Sequence, residues 1–267
     1  MQAIVGQKKL VKILDSYTIE TAPKTMLFLG QEGCGKTWLS MGFAQQLGLD
    51  FVHVANDVSA EKLVEYYQCP IPKMYLIDLK DIDEKQQNKF LKFIEEPSSN
   101  MHIILSARSE IGILPTILNR CVKYRFEDYT ADELKEFAWC INCTDPRVFE
   151  ICKTPGQLNN LPDDNLNDVF DKCELILKSM KNAPYANAIS LSTKINCKDD
   201  LTKIDFNLFF EVLLYCAFEK YKNEIDELSY KIYKYTAEYR TKAFNKSINK
   251  ESFLLNYLDN IWRQTHY

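Results

Sequence analysis

Residues 30–37 read Gly30-Gln31-Glu32-Gly33-Cys34-Gly35-Lys36-Thr37. A glycine, four residues and then Gly-Lys-Thr is the spacing of a phosphate-binding loop. Glycines let backbone N–H groups turn inward around phosphate oxygens. A helix beginning near Lys36 would aim its positive end at the same anion. Lys36 would reach the β- and γ-phosphates, and the Thr37 hydroxyl would ligate Mg2+. Such chemistry also needs an acidic group at a neighbouring strand end to hold the metal. Asp78, which closes the apolar run Met74-Tyr-Leu-Ile-Asp78, supplies one. Hydrolysis would further require a base or a water-orienting group beside it. The next residue is Leu79, which can do neither, and Asp81 and Asp83 fall in or beside the following helix. The sequence therefore specifies nucleotide binding more fully than hydrolysis.

The elements around these residues alternate. Strands are expected at 25–30, 51–55, 74–78, 102–106 and 122–126. Helices are expected at 2–16, from Lys36 to Gly48, at 59–67 and at 83–96, with a short turn at 114–118. This order implies a parallel sheet built from strand–helix–strand crossovers. The near-continuous apolar strands imply a sheet covered on both faces. The loop at 30–37 falls between a strand and a helix, the context that separates a phosphate cradle from a decorative glycine turn. After Phe126 the pattern changes. Residues 130–165 read as short helices broken by Pro146, Pro155-Gly156 and Pro162, and from Asn165 onward the chain reads as helix. All eight glycines lie in residues 1–156, and residues 185–267 hold neither glycine nor proline. The expected organisation is an α/β nucleotide-binding domain at 1–128, a small helical lid at 129–165 and an all-helical domain at 166–267.

Composition narrows the function classes. The 267 residues are 46% hydrophobic and 26% charged, which fits a globular protein and not a disordered, collagenous or coiled-coil chain. A net charge of −4 argues against coating nucleic acid by bulk charge. No window is apolar enough to span a membrane, and the N-terminus lacks signal-peptide features, so a cytoplasmic protein is expected. Nine cysteines at irregular spacing then read as reduced thiols. Cys140 and Cys143 with Cys152 could be three metal ligands, but a single C-x-x-C without a second pair seldom is one.

Taken together, these motifs resemble the AAA+ ATPase subunits of sliding-clamp loaders. Val5-Gly6-Gln7 is similar to the N-terminal V-G-Q box of that family, and residues 30–37 to its Walker A motif. Residues 74–81, MYLIDLKD, resemble its Walker B strand. Residues 86–97, QQNKFLKFIEEP, resemble its A-x-N-A-L-L-K-x-L-E-E-P helix. Leu114 to Cys121 resembles L-P-T-I-x-S-R-C, with Asn119 in place of serine. Asn245 to Trp262 is similar in style to the last collar helices.

The resemblance implies an AAA+ α/β domain of parallel sheet flanked by helices, with a small helical lid and a helical C-terminal collar. It implies ATP or ADP with Mg2+ held by Gly30, Gly33, Cys34, Gly35, Lys36, Thr37 and Asp78. Val5, Gly6 and Gln7 would lie near the adenine. Arg120 would be an arginine finger reaching a neighbouring subunit's site. Three departures concern groups that read or hydrolyse ATP. Leu79 stands for the Walker B glutamate, Ser106-Ala-Arg108-Ser109 occupies the sensor-1 segment, and Asn159 stands where the sensor-2 turn often has arginine. A subunit that keeps the finger and hydrolyses poorly resembles the bacterial DNA polymerase III delta-prime subunit more than the gamma/tau motor. The four-cysteine zinc module of those subunits has no counterpart here, because only Cys69 lies between Thr37 and Asp78, so no zinc is expected.

The expected partners are other subunits of a hetero-oligomeric ring, the sliding clamp and primer–template DNA, within a DNA polymerase III holoenzyme. An active ATPase motor, with Asp81 replacing the missing glutamate, is the second reading. A P-loop nucleotide kinase is the third, weakened because residues 129–165 contain only Arg147 where a kinase lid is rich in arginine.

Overall fold

A computed structural model of the chain describes residues 5–80, 82–140, 145–161, 166–182, 184–186, 190, 206–243 and 249–266. Asp81 and Cys143 lie outside the described residues. The chain divides into two compact units, residues 1–160 and 161–267.

The first unit is a five-stranded parallel sheet, in the order β2-β3-β4-β1-β5. Its strands are β1 (Thr25–Leu29), β2 (Asp50–Val54), β3 (Lys73–Asp78), β4 (Met101–Ala107) and β5 (Val122–Arg125). Every strand sits within one or two residues of its expected place. The helices between them are α1 (Lys8–Asp15), α2 (Lys36–Gln46), α3 (Ala60–Gln68), α4 (Glu84–Glu95) and α5 (Pro115–Leu118).

Alternating side chains of one strand serve opposite faces of the sheet. Leu27, Leu29, Tyr75, Ile77, Ile103 and Leu105 pack with Phe90, Phe93 and Ile94 of α4. Met26, Phe28, Met74, Leu76 and Ile104 pack with Leu39 and Phe43 of α2 and Leu10 and Leu14 of α1. The three inner strands are therefore apolar nearly throughout, as continuous hydrophobic runs require. The two edges differ from that expectation. In β5 only Tyr124 is buried, and in β2 only Val54, because an edge strand has covered neighbours on one side alone.

The first helix also begins later than expected. Gly6 (φ 76°) and Gln7 (φ 53°) take left-handed backbone conformations, which no helix can pass through, so α1 starts at Lys8. Beyond β5 come α6 (Ala131–Cys140), α7 (Val148–Ile151) and α8 (Pro155–Asn159), the described helices of the segment expected as a lid. The capping box foreseen at Thr130 and Glu133 forms: Glu133 N–H donates to the Thr130 hydroxyl, and the Thr130 N–H donates to the Glu133 carboxylate.

The described residues of the second unit form the helices α9 (Leu166–Asn182), α10 (Phe206–Glu224), α11 (Glu227–Ala243) and α12 (Lys250–His266). Its core is aromatic. Phe210 meets Phe206, Phe209, Phe253 and Tyr257 in edge-on or near edge-on contacts. Tyr257 is fully buried, and its hydroxyl pairs with Thr236 at 2.9 Å. No described helix of the chain is long and apolar enough to cross a membrane.

Candidate phosphate-binding site

The loop 30–37 leaves the C-terminal end of β1 and enters α2, as its spacing requires. Gly33 (φ 78°) and Gly35 (φ 94°) are left-handed, a conformation that costs any other residue of this loop free energy. Lys36 opens α2 behind them. Its ammonium lies along the loop, donating to the carbonyls of Gly30 (2.7 Å) and Gln31 (2.8 Å) and facing the Cys34 sulfur at 3.8 Å. An ammonium has three donors. Two are held by the loop's own carbonyls and the third faces only a weak sulfur acceptor, which an anionic oxygen would displace. Cys34 is buried, and burial raises its thiol pKa, so the residue lines the loop as a small apolar side chain.

Asp78 stands at the end of β3, beside Ser106 of β4 in register. The Ser106 hydroxyl (3.2 Å) and the backbone N–H of Lys80 (3.0 Å) both donate to the same Asp78 oxygen. One carboxylate oxygen is thereby fixed. Thr37 is exposed on the first turn of α2. These residues fit a Mg–nucleotide: a glycine backbone that admits no side chain, a lysine with a donor to spare, a hydroxyl and an oriented carboxylate. Leu79 is 7% exposed, packed in the apolar core beneath α4, with its N–H on the Ser106 carbonyl. An acid is not merely absent at this position; the site around it is hydrophobic.

Gly6, with half-buried Val5 before it and Gln7 after it, meets this loop through a residue the sequence did not single out. Gln7 forms a two-point pair with the backbone of Glu127, donating to its carbonyl at 2.7 Å and accepting its N–H at 2.9 Å. Both ends of the Gln7 amide are thus spent on the exit from β5. Gly6 leaves room for the Tyr129 ring: a Cβ there would come within 2.6 Å of Tyr129 Cε1. The Tyr129 hydroxyl in turn donates to the Cys34 carbonyl at 2.9 Å. Burial pushes the Tyr129 pKa up to about 12, so it remains a donor at neutral pH. An aromatic residue directly before a helix N-cap signals a staple against the first turns of that helix; the meeting of Tyr129 with Cys34 had no local signal.

On the other side, the turn that opens α8 closes on the loop. The Gly156 N–H donates to the Gly33 carbonyl at 2.9 Å, and the Thr154 hydroxyl donates to the Glu32 carbonyl at 3.1 Å. A Cβ on Gly156 would lie 2.5 Å from the Gly33 Cα. Thr154 and Gln157 form a capping box that fixes this turn. Asn159, where the resemblance looked for arginine, is exposed.

Arg120 is separate from this assembly. It precedes β5, whereas the loop follows β1. The strands are parallel, with Met26 beside Val122 and Leu29 beside Arg125. The offset from the level of Arg120 to Gly30 is therefore about six residues, roughly 20 Å along the sheet. Arg120 donates to the Thr116 carbonyl (3.0 Å) and pairs with Glu95 (3.2 Å) at a half-exposed surface. Arg108 is exposed. Cys140 is exposed and Cys152 buried.

The sheet order, the glycine loop after β1 and the acid ending β3 together define an α/β fold of parallel sheet flanked by helices, with a candidate phosphate loop at its β1–α2 turn. The fold is shared with a DNA polymerase III gamma subunit-related protein of Thermotoga maritima, at a TM-score of 0.56 and 15% identity over 97% of this chain and 99% of that one. It is also shared with the RuvB Holliday junction branch migration motor of the same organism, at a TM-score of 0.50 and 18% identity over 94% of this chain and 87% of that one.

Residues 66–130 match the family described as DNA polymerase III, delta subunit. The replication factor C small subunit of Methanococcus maripaludis is 24% identical over 153 residues, 51% of this chain and 49% of that protein. Its counterpart in Methanosarcina acetivorans is 23% identical over 154 residues, 51% of this chain and 46% of that protein. The chain thus spans about half the length of the curated relatives it matches.

Proposed function

We propose that this chain is a delta-prime-like subunit of a sliding-clamp loader, acting in DNA replication as a cytoplasmic member of a hetero-oligomeric ring. It helps place a clamp on primer–template DNA and turns over nucleotide weakly or not at all. The observation that carries this reading is the pairing of a complete phosphate loop with a buried Leu79 beside the metal-holding Asp78.

The chain's own residues have separable tasks. The backbone N–H groups of residues 33–37 and the third donor of Lys36 hold phosphate oxygens. Thr37 and the oriented Asp78 carboxylate hold Mg2+, which when bound neutralises phosphate charge. Leu79 gives an attacking water nothing to lean on. Arg120, a sheet length from its own loop, would serve another chain. Its guanidinium would leave an exposed ion pair of low worth to stabilise charge developing on a neighbour's phosphates.

The test is steady-state ATP turnover by the pure chain and by a loader reassembled with partner subunits from the same source, with and without clamp and primed DNA. The reading expects little turnover by the chain alone. In the assembly it expects a loss of about 10³-fold in the site that Arg120 serves when Arg120→Ala is introduced. Robust turnover by the chain alone that Lys36→Ala abolishes would make it a motor instead.

A further inference from the structure

Glu32 is an acidic residue inside a loop whose business is anions. Its carboxylate does not stand alone: the Lys80 ammonium pairs with it. Lys80 follows Asp78-Leu79 at the end of β3, and its own backbone N–H anchors the Asp78 carboxylate. One residue thus touches both halves of the candidate site, by its main chain on the metal-holding acid and by its side chain on the phosphate loop. The position along the loop is also informative. Lys36, the group directed at β- and γ-phosphates, is bonded to the carbonyl of Gln31, the neighbour of Glu32. If residues 30–37 cradle a nucleotide, the Gln31–Glu32 edge, Lys36 and Asp78 would all lie toward its terminal phosphate.

We propose that Lys80 is a phosphate-reading residue. With no nucleotide bound it neutralises Glu32, and with a nucleoside triphosphate bound its ammonium leaves Glu32 for the terminal phosphate. The exchange is cheap because the pair is exposed, with side chains 38% and 78% accessible, and exposed ion pairs hold weakly. It is directional because a terminal phosphate carries more charge and more acceptor oxygens than one carboxylate. A diphosphate has no phosphate at the γ position, the one within reach of Lys80, so Lys80 then stays on Glu32. This residue would let a chain with little hydrolysis still distinguish ATP from ADP. The proposal rests on the reading of residues 30–37 as a nucleotide site.

The test compares equilibrium binding of Mg–AMP-PNP and Mg–ADP to the full chain. Lys80→Met should weaken the triphosphate analogue about tenfold and ADP by less than about twofold. Lys80→Arg should keep most of the preference, and Glu32→Gln, which removes the competing carboxylate, should tighten the analogue. The exchanged pair Glu32→Lys with Lys80→Glu keeps an ion pair but moves the cation, so it should bind as poorly as Lys80→Met. A purely structural pair would bind normally after the exchange, and that result overturns the proposal. Equal weakening of both nucleotides by Lys80→Met, or no weakening, overturns it as well. If Lys36→Ala abolishes binding while Lys80→Met keeps the wild-type ratio, the nucleotide site stands and the role of Lys80 falls. If wild type binds neither nucleotide, the site reading itself is wrong and the proposal goes with it.

Discussion

The two units of this chain reach a defined structure by opposite means. Around the phosphate loop the backbone is specified by glycine. Gly6, Gly33 and Gly35 have positive φ, and Gly156 sits where no Cβ fits. The second unit has no glycine at all, and its order comes from side chains. Rings of Phe206, Phe210, Phe253, Tyr239 and Tyr257 interlock, and the buried hydroxyls of Thr236 and Tyr257 satisfy each other. Where that unit must turn between α10 and α11, it uses Ile225 at φ 46°, although isoleucine strongly resists that conformation. A site for a ligand needs backbone donors free to face it, and that requires glycine. A helical packing unit needs only volume and complementary shape.

Substitutions should therefore act very differently in the two units. The largest effect is expected at the glycine contact. Gly156→Ala would force a methyl against the Gly33 Cα, and Gly33→Ala would add backbone strain to a clash with Thr154. Each should destabilise the first unit by about 2–4 kcal/mol and weaken nucleotide binding. Denaturant unfolding followed by a first-unit probe reads this, and a normal midpoint for both variants would break the comparison.

Next comes Leu79→Glu. Restoring the acid buries a carboxylate among Ile77, Ile82 and Phe90, at a cost of about 2–3 kcal/mol. No motor activity should be gained, as calorimetry beside a turnover assay would show.

A pH effect of similar origin is expected at His102, buried in β4 with the Lys24 ammonium 3.2 Å from its Nε2. Burial, then the Lys24 charge, lower its pKa to about 4. The unfolded chain, with an ordinary histidine near 6.5, takes up that proton first as pH falls. Stability is then full above about pH 6.5 and lost down to about pH 4, by about 2 kcal/mol after screening. His102→Gln should remove that part of the pH slope.

The smallest effect belongs to the second unit. Ile225 is 77% exposed, so Ile225→Gly gives up little packing and relieves left-handed strain. A gain of about 0.5–1 kcal/mol should raise the unfolding midpoint.

Much of the first unit was legible because its signals are local. The spacing of residues 30–37, the apolar runs of β1, β3 and β4, and the Pro97 stop after α4 each act within a few residues. The edge strands were less clear, since whether Val122 or Phe51 is covered depends on neighbours distant in the chain. The same holds for the groups around the loop. Tyr129, Thr154 and Ser106 touch Cys34, Glu32 and Asp78 across separations of 95, 122 and 28 residues, and no periodicity encodes such a meeting. The early start given to α1 failed at Gly6 and Gln7 because left-handed backbone at a non-glycine residue is set by what holds it, here the Glu127 main chain. The lack of breakers in residues 185–267 implied helix, which α10, α11 and α12 bear out among the described residues, but it concealed the turn at Ile225.

The central claim is that the chain kept a working phosphate loop and lost the means to use it for hydrolysis. The most direct measurement mixes excess pure chain with a trace of Mg–ATP, isolates the bound nucleotide over minutes and separates ATP from ADP. The account predicts that nucleotide is retained, that Lys36→Ala abolishes retention, and that the bound species is still ATP. Conversion to ADP within about a second, the pace of an ordinary enzyme, would contradict it.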